Sequence, residues 1–287
     1  MGKRFKKIYI EITNICNLDC HFCPKTKRKL AFMPFDLCKK AMLESKDLAE
    51  EITLHLMGEP LLHPDIEKII FFAQEEGIRI NLTTNATLVS KYQHLLLNQA
   101  IRRINFSVHG IKVNYSKEDQ QRILHEVIEF TKIAQEKRDD LIIIYRLWNI
   151  DNESNRILLD QIEQEFNVKL EEETKKISTK IKNNAYVHYD ESFDWPDPKD
   201  EIRSERGYCH GLTTHIGILV DGTVVPCCLD NDGNIPLGNI TEQKIAGVLA
   251  GSRAMAIKKG FQDRKLIEDL CKKCTYIKRL ERNRDKS

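Results

Sequence analysis

The chain has 287 residues, 41% of them hydrophobic and 31% charged, with a formal net charge of +2. This composition excludes a disordered or fibrous protein and suits one large core with a small second unit. Nothing in the charge favours nucleic acid, and no apolar run approaches the roughly 20 residues that cross a bilayer. The basic start also lacks a signal-type core. A cytoplasmic protein is therefore expected.

Strand and helix patterns alternate from the start. Residues 7–13 (KIYIEIT) read as a strand and 35–50 as a helix; 52–57 (ITLHLM) is a second strand, followed by a helix over 64–76. Residues 78–84 (IRINLTT) give a third strand with a helix near 90–99, and 103–109 (RINFSVH) a fourth with a long helix over 117–137. A fifth strand at 141–147 (LIIIYRL) precedes a helix over 153–166, and a sixth is expected between 168 and 189. Strands separated by helices imply a parallel sheet with right-handed crossovers. Residues 171–206 break the rhythm and read as a connector, with Trp195 as its packing anchor. Beyond it, THIGILVDGTVVPCC is a hairpin about Asp221-Gly222. Helices over 241–250 and 252–270, a CKKC pair and a basic, solvated tail follow.

Nine cysteines in a reducing compartment point to metal or redox chemistry rather than disulfides. Three of them, Cys16, Cys20 and Cys23, lie in CNLDCHFCP, on the loop after the first strand. Zinc would want a fourth ligand, such as His21 or Cys38. His21 sits inside the tight loop, and Cys38 falls on an amphipathic helix as a small core residue. A four-iron cluster can instead use three thiolates and leave one iron open to an outside chelator.

The C-x3-C-x2-C spacing after the first strand resembles the radical S-adenosylmethionine superfamily. The resemblance implies an α/β fold built on a partial (β/α)6 TIM-type barrel. It also implies a [4Fe-4S] cluster on Cys16, Cys20 and Cys23, whose open iron binds S-adenosylmethionine and cleaves it to a 5′-deoxyadenosyl radical. Phe22 takes the aromatic position that packs near the adenine in that family. MGEP, at the end of the second strand, matches a turn that contacts the methionine amino group, with Gly58 for close approach and Glu59 as acceptor. Other strand ends supply Asn85 (in TTNAT), Ser107 and His109, the last two for ribose hydroxyls or the carboxylate, and then Arg146 and Asn149. Each such residue can also be a turn or cap residue; together on one rim they suit a cofactor. Arg146, in an otherwise apolar strand, either snorkels outward or projects into the cavity. The inward orientation is expected, making it the catalytic candidate on the cofactor carboxylate or a substrate anion.

Cys209, Cys227, Cys228, Cys271 and Cys274 form a second group. The Gly222-x4-Cys227 step and closing C-x2-C resemble the SPASM extension or its shorter twitch relative. Five cysteines suffice for one auxiliary cluster but not two. The resemblance implies Cys209, Cys227, Cys271 and Cys274 as ligands of an auxiliary [4Fe-4S] cluster, with structural zinc as the alternative. Strand alternation is expected to turn Cys228 to the other face. The divisions expected are a barrel core over 1–170, a connector with the last barrel strand over 171–206, and over 207–287 a small α+β auxiliary-cluster domain of hairpin and helices.

The implied chemistry is hydrogen abstraction from a small polyol- or sugar-like molecule, or from a peptide, completed as a net oxidation through the auxiliary cluster. An external one-electron donor such as flavodoxin or ferredoxin is required. The first strand begins near residue 7, leaving no room for a leader-binding domain, so a peptide would need other recognition. RNA modification has only the basic tail behind it. A non-catalytic zinc- or cluster-stabilised binding module is the alternative outside enzymology.

Overall fold

The structure, a computed structural model, describes residues 4–112, 114–148, 152–170, 178–190 and 193–284. In chain order the elements are β1 (Phe5–Ile10), α1 (Phe35–Lys46), β2 (Ala49–Leu54), a 3-10 turn (Pro60–Leu62), α2 (Ile66–Glu75), β3 (Ile80–Thr84), α3 (Val89–Leu96) and β4 (Ile101–Phe106). Then come α4 (His109–Lys112), α5 (Lys117–Lys137), β5 (Ile142–Trp148), α6 (Asn152–Phe166), β6 (Ser178–Lys182) and β7 (Ala185–Asp190). The last part holds β8 (His215–Ile218), β9 (Thr223–Val225), β10 (Gly238–Asn239), α7 (Ile245–Ala250), α8 (Ser252–Gln262), α9 (Asp269–Lys273) and α10 (Tyr276–Arg284). The parallel strands are β1 to β5 and β7, the partial (β/α)6 pattern expected, with β8 as a further parallel partner of β1.

Two compact units are formed. One comprises Met1–Ile15, Pro24–Gly58 and Phe193–Ser287; the other comprises Cys16–Cys23 and Glu59–Ser192. In the first, β1 is parallel to β2 on one side and to β8 on the other, with Ile8 opposite both Ile52 and Ile216. The hairpin β8–β9 and the short β10 continue this sheet in antiparallel fashion. Glu11, buried just past β1, accepts from Val220 N (2.9 Å) and from Arg28 Nη2 (2.6 Å), tying the first strand to the hairpin end. The compact units thus group the first strands with the C-terminal residues, because β8 anneals to β1. Cys38 is fully buried on α1, beside Met42, as a core residue.

In the second unit β3, β4, β5 and β7 run parallel and β6 pairs antiparallel on β7. This corrects the expectation of a single sixth strand. The Asn183-Asn184 turn, with Asn183 at φ 42°, folds the segment into a hairpin; Asn tolerates that left-handed backbone well. One face of the sheet is apolar, and α5 packs on it. Ser116 caps α5 by accepting from Asp119 N (3.2 Å). Phe130 packs edge-on against Phe106, and Thr131 shares a 2.7 Å hydrogen bond with Tyr145. The opposite face is polar, since strand register places Asn81 beside Arg103, Thr83 beside Asn105, and Arg146 beside His188.

The long helix expected over 252–270 is two helices, α8 and α9, broken at Asp263–Glu268 by Arg264 at φ 56°. The basic tail is helical in α10. In the connector, Trp195 packs on Phe193 (5.3 Å), which meets Tyr276 at the same distance, the anchoring role expected of it. No helix among the described residues is long and apolar enough to cross a membrane.

Candidate active site and cluster-binding centres

The cysteine loop is held by side chains outside its motif. Asn114, from the segment between α4 and α5, accepts from Asp19 N (2.7 Å) and donates to Gly110 O (2.9 Å) and to Cys20 Sγ (3.2 Å). Gly110 lies so close that an added Cβ would sit 3.4 Å from Cys20 Sγ. At the end of β3 a ring of hydrogen bonds closes: Asn17 Nδ2 donates to Thr87 Oγ1, Thr87 Oγ1 to Asn85 Oδ1, and Asn85 Nδ2 to Asn17 Oδ1 (2.8–2.9 Å). The same Asn85 amide lies 3.7 Å from Cys16 Sγ, and Leu18 N donates to that sulfur at 3.4 Å.

The three thiols are neighbours. Burial, followed by the charges of Cys20 and Cys16, pushes Cys23 up to about 12. Burial also raises Cys16 and Cys20, against the lowering effect of the N–H donors on their sulfurs. Three adjacent sulfurs, on an exposed Cys16 and half-buried Cys20 and Cys23, resist ionising unless a bound cation compensates, while amide hydrogens already point at two of them. That donor set fits a metal cluster.

Phe22, within the loop, meets His109 (5.2 Å) and Trp148 (5.2 Å), and His109 stacks on Trp148 at 4.6 Å with planes 10° apart. His109 Nδ1 donates to the Arg146 carbonyl (3.0 Å), since a carbonyl can only accept. Burial, opposed by the bond to the Arg146 carbonyl and helped by the Arg146 charge, holds this imidazole down at about 4, so it is neutral with Nε2 as an acceptor. Arg146 sits on the polar face, one pleat from Trp148. Its neighbour His188 is lowered by burial and then by Arg146 and Arg103. Register puts Arg146 and His188 side by side on this face.

Gly58 has φ +73°, and a Cβ there would lie 2.6 Å from Thr13 O and 2.7 Å from Ile15 O; only glycine fits. Glu59 is buried, with Oε1 accepting from Leu61 N (3.0 Å) and Thr84 Oγ1 (2.8 Å) and Oε2 from Asn85 N (2.6 Å). Burial raises this carboxyl to about 7 despite those donors. Glu59 therefore organises the strand ends before it meets any ligand, a role its sequence position alone does not reveal. Ser107 lies half-buried past β4, its N–H on Thr84 O (2.8 Å) and its carbonyl receiving Gly110 N (3.0 Å). Asn149 lies outside the described residues.

In the other unit Cys209, Cys227, Cys271 and Cys274 form a second set. Burial pushes Cys209 up to about 11 and Cys227 and Cys271 well above the ordinary thiol range, and each of these three is raised further by neighbouring thiolates. Cys274 is also raised by burial. Gly211 N donates to Cys209 Sγ (3.4 Å). Four half-buried thiols together again fit a cluster that supplies the compensating charge. Cys228 corrects an expectation: β9 ends at Val225, so strand alternation does not govern it, and its charge is felt by both Cys209 and Cys227. Among the described residues, no group of three or more His, Cys, Asp or Glu has the spacing of a single-ion site.

Comparison with known proteins identifies the architecture. The family model of the radical SAM superfamily matches residues 10–160, more than half of the chain. The chain belongs to the radical SAM superfamily. A second model, the SPASM iron-sulfur cluster-binding domain, matches residues 209–275. This radical SAM protein thus has an S-adenosylmethionine- and [4Fe-4S]-binding domain followed by an iron–sulfur domain. It is 26% identical over 147 residues to a GTP 3′,8-cyclase of Aquifex aeolicus (strain VF5), covering 47% of this chain and 43% of that protein. It therefore spans less than half the length of that curated relative. Among solved structures it resembles BtrN in complex with AdoMet and 2-DOIA, with TM-score 0.61, 20% identity, and 96% and 94% of the two chains covered. It also resembles Streptococcus suis SuiB bound to the precursor peptide SuiA, with TM-score 0.63, 17% identity, and 97% and 73% covered. These likenesses show a shared fold.

The residues that sequence reasoning missed are Asn17, Thr84, Thr87, Asn114, Trp148 and His188. Trp148 and His188 had a usable signal, since each shares strand parity with Arg146 or its neighbour. Asn114 had none: its contact arises only when the loop before α5 returns to the cysteines.

Proposed function

We propose that this protein is a radical S-adenosylmethionine oxidoreductase acting on a small molecule or a peptide. The observation that carries the reading is the convergence of Cys16, Cys20 and Cys23 with the Phe22–His109–Trp148 wall and Glu59 in one unit. Cys16, Cys20 and Cys23 would hold the catalytic [4Fe-4S] cluster, and Cys209, Cys227, Cys271 and Cys274 the auxiliary one. When bound, these groups and S-adenosylmethionine supply hydrogen-atom abstraction and an acceptor for the second electron, the first electron coming from an external donor such as flavodoxin or ferredoxin.

Phe22, His109 and Trp148 offer flat faces for a heterocycle and exclude water beside it. Glu59 keeps lone-pair capacity beyond its three donors and can accept from an ammonium, while Gly58 lets ligand and backbone approach. Ser107 would offer a hydroxyl to the ligand and Asn85 would hold the loop beside it, while neutral His109 offers Nε2 to a hydroxyl. Arg146 opposes an anionic group, either the cofactor carboxylate or one on the substrate.

The fold shared with BtrN and with SuiB supports both substrate classes. A nucleotide is the second reading, favoured by the similarity to GTP 3′,8-cyclase and by Arg103 and Arg146 on the polar face. Deuterium tracing separates them: labelled polyol, peptide or GTP is supplied with reductant, and the true substrate delivers deuterium to 5′-deoxyadenosine. Replacing Cys209 or Cys271 with Ala should spare cofactor cleavage and abolish product. Equal loss of both activities would contradict the division of roles.

A further inference from the structure

We propose that Asn114 and Asn85 set the reduction potential of the cluster on Cys16, Cys20 and Cys23 by donating side-chain N–H groups to two of its sulfurs. The inference rests on the reading of that loop as the cluster site. Neither residue belongs to the cysteine motif; one precedes α5 and the other follows β3.

The amide orientations are fixed by their partners rather than assumed. Asn114 Oδ1 accepts from Asp19 N at 2.7 Å, and a backbone N–H can only donate. The other end of the amide must then be the NH2, which meets Cys20 Sγ at 3.2 Å and Gly110 O at 2.9 Å. A flipped amide would put N–H against N–H and oxygen against sulfur and a carbonyl. The same logic holds at Asn85. Its Oδ1 accepts from Thr87 N (3.1 Å) and Thr87 Oγ1 (2.8 Å), so its NH2 faces Asn17 Oδ1 and, at 3.7 Å, Cys16 Sγ.

One-electron reduction adds a negative charge that spreads onto the ligand sulfurs. An N–H dipole with its positive end at sulfur stabilises the reduced cluster more than the oxidised one, which raises the potential. Asn114, at the shorter distance, has the larger effect. A merely structural clasp would hold the loop in place and leave the potential alone.

The test is an anaerobic redox titration of the full-length, iron-replete protein by electron paramagnetic resonance. It is read on the signal that changes shape when S-adenosylmethionine is added, which separates this cluster from the auxiliary one. Asn114→Asp is the decisive variant: it keeps the acceptor for Asp19 N and replaces the N–H donor with a carboxylate oxygen. Its reduced-to-oxidised ratio at a fixed poise should fall by about tenfold or more, a midpoint roughly 59 mV more negative for one electron. Asn114→Leu should shift in the same direction by less than Asp, and Asn85→Leu by less again.

Wild-type midpoints in iron-replete Asn114→Asp and Asn85→Leu protein would overturn the inference, as would an upward shift. Should Asn114→Leu fail to hold iron, the other two variants carry the test unchanged. Wild-type protein with no signal that responds to S-adenosylmethionine would overturn the functional reading itself, a different outcome from an unmoved potential.

Discussion

Replacing Glu59 tests whether the strand ends are organised by one buried carboxylate. In Glu59→Ala, Leu61 N and Asn85 N lose their acceptor, whereas Thr84 Oγ1 can rotate and still accepts from Ala86 N (3.2 Å). An orphaned donor costs about 1–3 kcal/mol, with part-buried Asn85 N at the low end and buried Leu61 N higher, together a large fraction of a typical stability of about 5–15 kcal/mol. At about 2–4 °C per kcal/mol for a chain of this order of size, thermal unfolding should begin at least about 4 °C lower. Glu59→Gln keeps one acceptor oxygen and loses less. It also removes a titration. The folded wild type holds its carboxyl proton up to about pH 7, whereas the unfolded chain releases it near 4.5. The stability that the neutral carboxyl contributes is therefore lost as pH rises through that window. At about 1.4 kcal/mol per pH unit this comes to about 3 kcal/mol. The advantage of wild type over Glu59→Gln should shrink by roughly that amount between pH 4.5 and 7.5 in thermal unfolding of anaerobic protein. An alanine variant melting within a degree of wild type, or a pH-independent gap, would refute the reasoning.

Three further outcomes are expected. The neutral His109 ring contributes stability that is fully present above pH 6.5 and lost as pH falls toward about 4. His109→Gln should therefore flatten the acid limb of a stability–pH curve by about 1.4 kcal/mol per pH unit, and an unchanged slope would show the ring to be freely protonated. Gly58→Ala places a Cβ 2.6 Å from a backbone oxygen at φ +73°; strain and overpacking together should cost about 2–5 kcal/mol in denaturant unfolding, and wild-type stability would contradict that geometry. Cys228→Ser should keep the iron content of wild type while Cys227→Ser loses about half of it, measured by metal analysis; loss in the Cys228 variant would make it a ligand.

The sheet was legible because each strand is a short apolar run bounded by turn residues, and every parallel strand through β5 lies within a few residues of its sequence pattern. The hairpin of β6 and β7 was not, because STKIK is too polar to read as a strand and takes its place by pairing with β7. Spacing singled out Cys16, Cys20 and Cys23 because three thiols on one short loop are close in sequence as well as in space. Glu59 and His109 were named for contacts with a cofactor, yet the structure gives them neighbours first: backbone amides for the carboxylate, Trp148 and the Arg146 carbonyl for the ring. Such partners come from separate strand ends, and no local pattern encodes them. Cys228 stands three residues past the end of β9, where strand alternation no longer sets a side chain's direction.

The account depends on three sulfurs leaving one iron open to the cofactor. Electron–nuclear double resonance of reduced, oxygen-free protein with S-adenosylmethionine isotopically labelled in its amino group measures this directly. A hyperfine coupling between the label and the cluster, absent in Cys16→Ala, Cys20→Ala and Cys23→Ala, is the result expected. An iron-replete protein that shows no coupling to the label would contradict it.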